Sequence, residues 1–195
     1  MGAAIRKEEF YRMSETGKYT TADIEALPEG IRAELLDGEM YMMTPPVTVH
    51  QMILSWLNSE IYAKIKERGG RCKTIPAPFG VYIKKDNKNY VEPDISVICD
   101  MDKLDKKGCQ GAPDWVIEII SPSSKRMDYY LKLHVYEEVG VREYWVVDPE
   151  KKSVVVYDLE NNESPSLYRF TDTVTARILG DAAIDFSELE EYCKA

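Results

Sequence analysis

The chain has 195 residues, enough for one domain with a single good core, and its 44% apolar and 30% charged content excludes a disordered or fibrous protein. No apolar run approaches the roughly 20 residues that span a bilayer, and "MGAAIRKEEFYRM" lacks both the apolar stretch of a signal peptide and the Ser or Thr at position 6 of a myristoylation motif. The net charge of −9 argues against a surface coated by nucleic acid, since phosphate binding needs local positive potential. Basic runs do occur at 64–73, 84–88 and 106–108; each taken alone reads as a solvated face or turn. The four cysteines, Cys72, Cys99, Cys109 and Cys193, form no C-x-x-C pair and no zinc spacing, which predicts reduced thiols in a cytoplasmic protein.

The first 20 residues are polar and are expected to pack loosely. "TTADIEALPEG" predicts a short helix entered at a Thr cap and ended before Pro28. "IRAELLDGEMYMM" is a hairpin, because Asp37-Gly38 suits a type I′ turn between two apolar-containing runs. A long helix follows, with Val49, Ile53, Trp56, Leu57, Ile61 and Ile65 at helical spacing and Gly69-Gly70 as its stop. Strands are expected at 79–83, 90–99 and 115–121.

A second helix spans about 124–139, with Met127, Leu131, Val135 and Val139 on one stripe and Gly140 closing it. "REYWVVD" and "SVVVYDL" form a hairpin across "PEKK", weaker strands lie near 167–170 and 174–179, and Ser187 with Glu190 matches a capping box opening a terminal helix. A strand-helix-strand step favours a right-handed parallel crossover. The expected class is therefore α+β, with an α/β-like mixed sheet carrying helices on its faces, in one domain over 1–195 whose core runs from about 47 to 159.

One residue stands out against this pattern. Glu118 lies amid the apolar "WVIEII", and burying an unpaired carboxylate is costly, so it needs a proton, a partner or a metal. Alternation along the strand puts Val116, Glu118 and Ile120 on one face. Asp94, directly after Pro93, shares a face with Ser96 on the preceding strand. If the two strands are neighbours, Asp94 and Glu118 converge at one sheet edge, where a hard divalent cation relieves their repulsion; magnesium fits best. Taken singly, Asp94 reads better as a turn residue after proline.

"PD", about twenty residues and then an acid on a buried strand followed by a helix resembles the PD-(D/E)xK nuclease superfamily. More closely, "ELLDGEMYMMTPP…H", "EPDISV", "WVIEIISPSS…D…K…Y" and "GVREYWVVDP" resemble the Uma2 family of restriction-endonuclease-like proteins, over roughly 19–159. The resemblance implies a restriction-endonuclease-like core of helix, three strands, helix and strand, with an N-terminal hairpin and extra C-terminal strands. It implies a magnesium-dependent endonuclease, with Mn²⁺ as an alternative ion, acting on DNA. Asp94 and Glu118 are its metal-binding and catalytic acids, and the Ile119 carbonyl is a further oxygen ligand. Glu34 is an accessory acid beside the metal, although a structural ion pair with Arg32 or another base explains it about as well. His50 fits the family's histidine, yet a capping or core role suits it better than ligation. Ser121 and the serines after it read mainly as a helix cap whose hydroxyls can reach phosphate.

The chain departs from the superfamily at Ile120, where a lysine two residues after the acid is usual. Lys132 is the expected substitute: Asp128 sits one turn earlier on the same helix side, and the D-x-x-x-K-x-x-x-Y pattern of the family is Asp128, Lys132 and Tyr136 here. It lies about 100° around the helix from Leu131 and can stretch along the core edge toward the sheet. Lys125, in a turn, is the weaker choice, and Lys132 with Asp128 could instead be a surface ion pair. A homodimer is expected, since cutting both strands of a duplex suits a two-fold pair of sites; no membrane partner is. The competing reading is a non-catalytic nucleic-acid or protein-interaction module on a decayed nuclease fold, which Ile120 and the acidic balance support. A two-carboxylate glycosidase ranks below both, because the 13 tyrosines do not gather near the acids in sequence.

Overall fold

The computed structural model describes residues 19–84, 86–121, 125 and 127–193. The expectation for the first residues, the serines of 122–124 and the start of the second helix lies outside that set. A short helix α1 (Thr21–Glu25) is capped by Thr20, as expected. The hairpin β1 (Ala33–Leu36) and β2 (Glu39–Met42) turns at Asp37 and Gly38, with φ of 50° and 81°. These positive values are what a type I′ turn demands, and Asp-Gly tolerates them. Helix α2 (Thr48–Glu67) buries Ile53, Trp56, Leu57, Ile61 and Ile65. Its first turn differs from the expected stripe: His50 is buried and Val49 is exposed.

The remaining elements are β3 (Lys73–Pro76), β4 (Val81–Tyr82), β5 (Ile95–Ile98), β6 (Cys109–Gln110), β7 (Trp115–Ile119), α3 (Leu133–Val139), β8 (Glu143–Asp148), β9 (Ser153–Asp158), β10 (Ser166–Arg169), β11 (Thr173–Ala176), β12 (Ala182–Asp185) and α4 (Ser187–Tyr192). Six of them form one sheet in the order β10-β9-β8-β7-β5-β3. Only β7 and β8 are parallel in it; the other neighbours are antiparallel. The α3 crossover between β7 and β8 is the step that the strand-helix-strand order implied.

The two sheet faces carry different loads. Ile95, Val97, Trp115, Ile117, Ile119, Trp145 and Val147 pack against α2 and against the C-terminal Phe170, Phe186 and Leu189. Val116, Ile120, Tyr144 and Val146 pack instead against Val135 and Tyr136 of α3. Glu118 belongs by alternation to this second face, so α3 is the element that covers it.

Several expectations are corrected. The 90–99 run is interrupted: Tyr90 and Val91 make only isolated bridges, and the strand proper starts at Ile95. Pro93 has no N–H to give to a ladder. β3 and β12 were not expected; β3 carries Lys73 and Pro76, poor strand signals, and stands at the sheet edge where proline is tolerated. The run 174–179 divides into β11 and a 3₁₀ turn, Arg177–Leu179. Ser187 does not cap α4: Phe186 holds the cap position, and the Ser187 N–H and hydroxyl both donate to Asp185, at 3.0 and 2.8 Å.

The cysteine expectation also changes. Cys72 and Cys99 are joined in a disulfide, while Cys109 and Cys193 are free. The pairing follows from register: Lys73 lies opposite Ile98, so the residues just beyond them face each other across the β3–β5 ladder. Thiol titration in denaturant should therefore find two free thiols per chain without reductant and four after reduction. Four in both conditions would restore the reduced state that composition implies.

Candidate active site

Glu118 sits in mid-strand on β7, 3% exposed, and its companions come from three other elements. Lys132 sends its ammonium to Glu118 Oε1 at 2.9 Å. The same Nζ lies 2.9 Å from Glu34 on β1 and 3.5 Å from Asp128, one turn earlier in its own helix. Tyr136, one turn later, donates its hydroxyl to Glu118 Oε1 at 2.9 Å. Glu34 also accepts the Glu92 N–H at 3.0 Å, which ties the hairpin to the segment before Asp94. Arg32 bonds Glu92 and not Glu34; the base that pairs with Glu34 is Lys132.

The helix that delivers Lys132 is unusual. Met127–Lys132 is a π-helical segment, and from Leu133 the chain runs as an α-helix, ending at Gly140 with φ 86°. The wider π turn shifts the phase of the side chains, so a stripe read at 3.6 residues does not hold here. Leu131, expected inside, is 40% exposed, whereas Asp128 and Lys132 are buried at 3% and 4%. Lys132 thus does not run along the core edge from a flank but is buried outright, and its pair with Asp128 is not a surface pair. The Asp128 carbonyl within the segment accepts the Tyr144 hydroxyl at 2.8 Å. π turns occur mostly as single-turn bulges in α-helices, frequently at functional sites.

Asp94 stands at the entrance of β5, opposite Glu118, because Ile95 pairs with Ile117. Its N–H makes a long contact, 3.4 Å, to Glu118 Oε2. Its Oδ2 accepts the Ile119 N–H at 2.7 Å and meets His50 Nε2 at 3.1 Å. Asp94 is therefore a wired residue beside Glu118, more than a turn after proline. His50 is no helix cap; it reaches across from the first turn of α2. Lys125 bonds Glu150 at 2.6 Å and lies 3.9 Å from Asp148, so it belongs to the β8–β9 turn and not to Glu118. Ser121 follows β7 and is half-buried.

The electrostatics follow from burial. Desolvation pushes the Glu118 carboxyl well above the usual range; Lys132 opposes this, and Asp128, Asp94 and Glu34 add to the rise. For Lys132 burial works against the charged form, but Glu118 and Glu34 outweigh it and hold the ammonium well above its ordinary pKa. Burial likewise lowers His50, and the hydrogen bond and charge of Asp94, with smaller help from Gln51 and the Ile119 backbone, more than reverse that. A buried ion-pair cluster is a poor device for stability, since a well-packed apolar replacement usually does as well or better. Its place on a largely apolar face of the sheet makes it a candidate site for chemistry.

The donor set suits a hard cation. Carboxylates outnumber the single ammonium, and no thiolate is present among the groups described above. Among the described residues no three His, Cys, Asp or Glu side chains form a ready-made cage. A cation would take Asp94 and Glu118 and complete its shell with a backbone oxygen and water, the manner in which Mg²⁺ is commonly held. Asp94 Oδ1 accepts no hydrogen bond among the described residues, and Glu118 Oε2 has only the long contact, so both are placed to serve.

A mixed sheet with an acidic pair at one end and helices on both faces is the restriction-endonuclease-like core. The family model "Uma2: Putative restriction endonuclease" matches residues 9–186, and the chain belongs to that family. A crystal structure described as that of "a putative nuclease belonging to DUF820" from Anabaena variabilis ATCC 29413 has a TM-score of 0.72 to this chain at 20% identity. The match covers 89% of this chain and 98% of that one, and at such identity it is the fold that is shared. No curated protein matches the sequence. No helix among the described residues is long and apolar enough to cross a membrane.

Replacing Lys132 should expose what the ammonium does for the fold. Lys132→Met leaves Glu118 and Glu34 buried without a counter-charge, at a cost of roughly 3–5 kcal/mol. Lys132 lowers the Glu118 pKa, so its loss raises that pKa further. A raised carboxylate favours the folded state while protonated and disfavours it as pH rises through the folded value. The variant should therefore melt below the wild type at pH 8, with the gap narrowing toward pH 5. A gap that stays constant across this range would mean that the carboxylates do not depend on Lys132.

Proposed function

We propose that the protein is a magnesium-dependent nuclease hydrolysing phosphodiester bonds in DNA, with Mn²⁺ as an alternative ion. The observation that carries this reading is the Lys132 ammonium within hydrogen-bond distance of Glu118, which itself stands beside Asp94. Asp94, Glu118 and the Ile119 carbonyl are the residues that would hold the ion. When bound, the ion supplies Lewis acidity, which activates water and neutralises charge on the scissile phosphate.

The protein's own groups do the rest. Lys132 stays protonated at neutral pH, because its carboxylate neighbours hold its pKa up. It therefore serves as fixed positive charge toward the negative charge that builds on phosphate, and not as a base. Glu34 and Asp128 hold the ammonium in place, and Tyr136 orients the Glu118 carboxylate. The net charge of −9 repels DNA at long range, so binding should lean on the ion and on local lysines. Cutting a duplex on both strands needs two such sites, and the active form proposed is a two-fold homodimer.

The test is cleavage of duplex and single-stranded DNA with Mg²⁺ or Mn²⁺. Cleavage should stop with chelator and fall at least 100-fold in Glu118→Gln and Asp94→Asn, both close in shape to the wild type. If no DNA is cut under any of these conditions, the nuclease reading fails and a non-catalytic module on this fold takes its place.

A further inference from the structure

His50 has no part in the proposed chemistry, yet it is 8% exposed and drawn to one carboxylate oxygen. A carboxylate accepts and does not donate, so the nitrogen facing it, Nε2, carries the proton. The neighbour of that bond is equally specific. Asp94 Oδ2 also accepts the Ile119 N–H at 2.7 Å, while His50 Nδ1 is buried with no hydrogen-bond partner. A backbone amide of β7 and a side chain of α2 thus converge on the same oxygen. Two donors on Oδ2 hold the carboxyl group against rotation, and Oδ1 is left as its open oxygen.

We infer that His50 is the positioning residue of the metal site: by donating from Nε2 to Asp94 Oδ2 it sets the carboxylate so that Oδ1 is the oxygen that takes the cation. This rests on the nuclease reading above and adds a role for a residue of α2. A histidine kept only to fill the core would not need its ring nitrogen on a carboxylate, and an apolar residue would pack there without leaving Nδ1 unsatisfied. Donors that orient ligand carboxylates commonly matter 10- to 100-fold in metal affinity. The Asp94 backbone is set by the sheet, since its carbonyl accepts the Ala77 N–H at 2.9 Å although Pro93 before it has no N–H to give. Its side chain is fixed by these two donors.

The experiment is Mn²⁺ binding by calorimetry on the full chain, with Mn²⁺ alone as the probe, for three substitutions. His50→Gln carries an amide N–H at the reach of Nε2; His50→Asn carries one that stops short; His50→Leu carries none. His50→Leu and His50→Asn should bind Mn²⁺ 10- to 100-fold more weakly than the wild type, and His50→Gln within about threefold of it. Circular dichroism spectra should superpose for the variants compared. If His50→Leu fails to fold, the contrast between His50→Asn and His50→Gln decides.

Wild-type affinity in His50→Leu or His50→Asn overturns the inference. So does a His50→Gln as weak as His50→Asn, because the donor would then not be what matters. A wild type that binds no Mn²⁺ sinks the metal-site reading and this inference with it. A wild type that binds while the variants bind equally well sinks this inference alone.

Discussion

The structure of the site depends on one ammonium group buried among carboxylates. Lys132 Nζ lies 2.9 Å from both Glu118 and Glu34 and 3.5 Å from Asp128. Without it, strand β7 would carry a bare charge into the core and strand β1 would add another. With it, four elements are fastened together: hairpin, central strand, π segment and α3. The apolar contacts on this face set where α3 packs. The ion cluster adds a further constraint, because each misplacement leaves a charge buried without a partner. Specificity of docking is the structural return on an arrangement that contributes little net stability.

The same cluster explains why the backbone departs from regularity where it does. The chain leaves β7 and must bring Asp128, Lys132 and Tyr136 inward at steps of four residues. The π segment places the first two, and the α-helix that begins at Leu133 carries the third. A regular helix through this region would place the apolar 127, 131, 135 and 139 inside; here Met127, Val135 and Val139 still pack on the core and Leu131 is turned out. The site thus overrides the hydrophobic pattern locally, and the Tyr144 hydroxyl satisfies a carbonyl in the altered turn. On the neighbouring strand Pro93 gives no N–H just before Asp94, whose carbonyl still accepts the Ala77 N–H in the β3–β5 register while the Ile119 amide and His50 hold its side chain.

Much of the fold was legible because its signals are local. The Asp37-Gly38 turn, the α2 stripe, the apolar β7 and the β8–β9 hairpin each rest on a few adjacent residues. The acid at 118 was legible for the opposite reason, as a polar residue that its own strand cannot tolerate. Lys132 was found through its spacing from Asp128 and the family pattern, but its depth was not, since 3.6-residue periodicity put it on a flank. The Glu34–Lys132 contact joins residues 98 apart and leaves no local trace. β3 and β12 were missed for a related reason: their sequences are poor strand formers, and pairing partners hold them in place. The Cys72–Cys99 bond was missed because composition speaks to the compartment, while register alone brings those two residues face to face.

The position of the lysine has a consequence for how the site forms. In the superfamily pattern acid and lysine share one strand, so strand formation alone sets their geometry. Here Ile120 fills the strand position and packs into the apolar cluster with Val116, Val135 and Val146. The cation arrives from a different element, 14 residues away from the acid. Assembly of the site then waits on docking of α3 and its π segment, which in turn needs Ile120 and Tyr136 to pack. Residues that look purely structural thereby control the charge beside Glu118. A lysine on the strand would spare the protein this dependence; a lysine on the helix makes the site a product of the tertiary fold, complete only when sheet, hairpin and helix have closed around it.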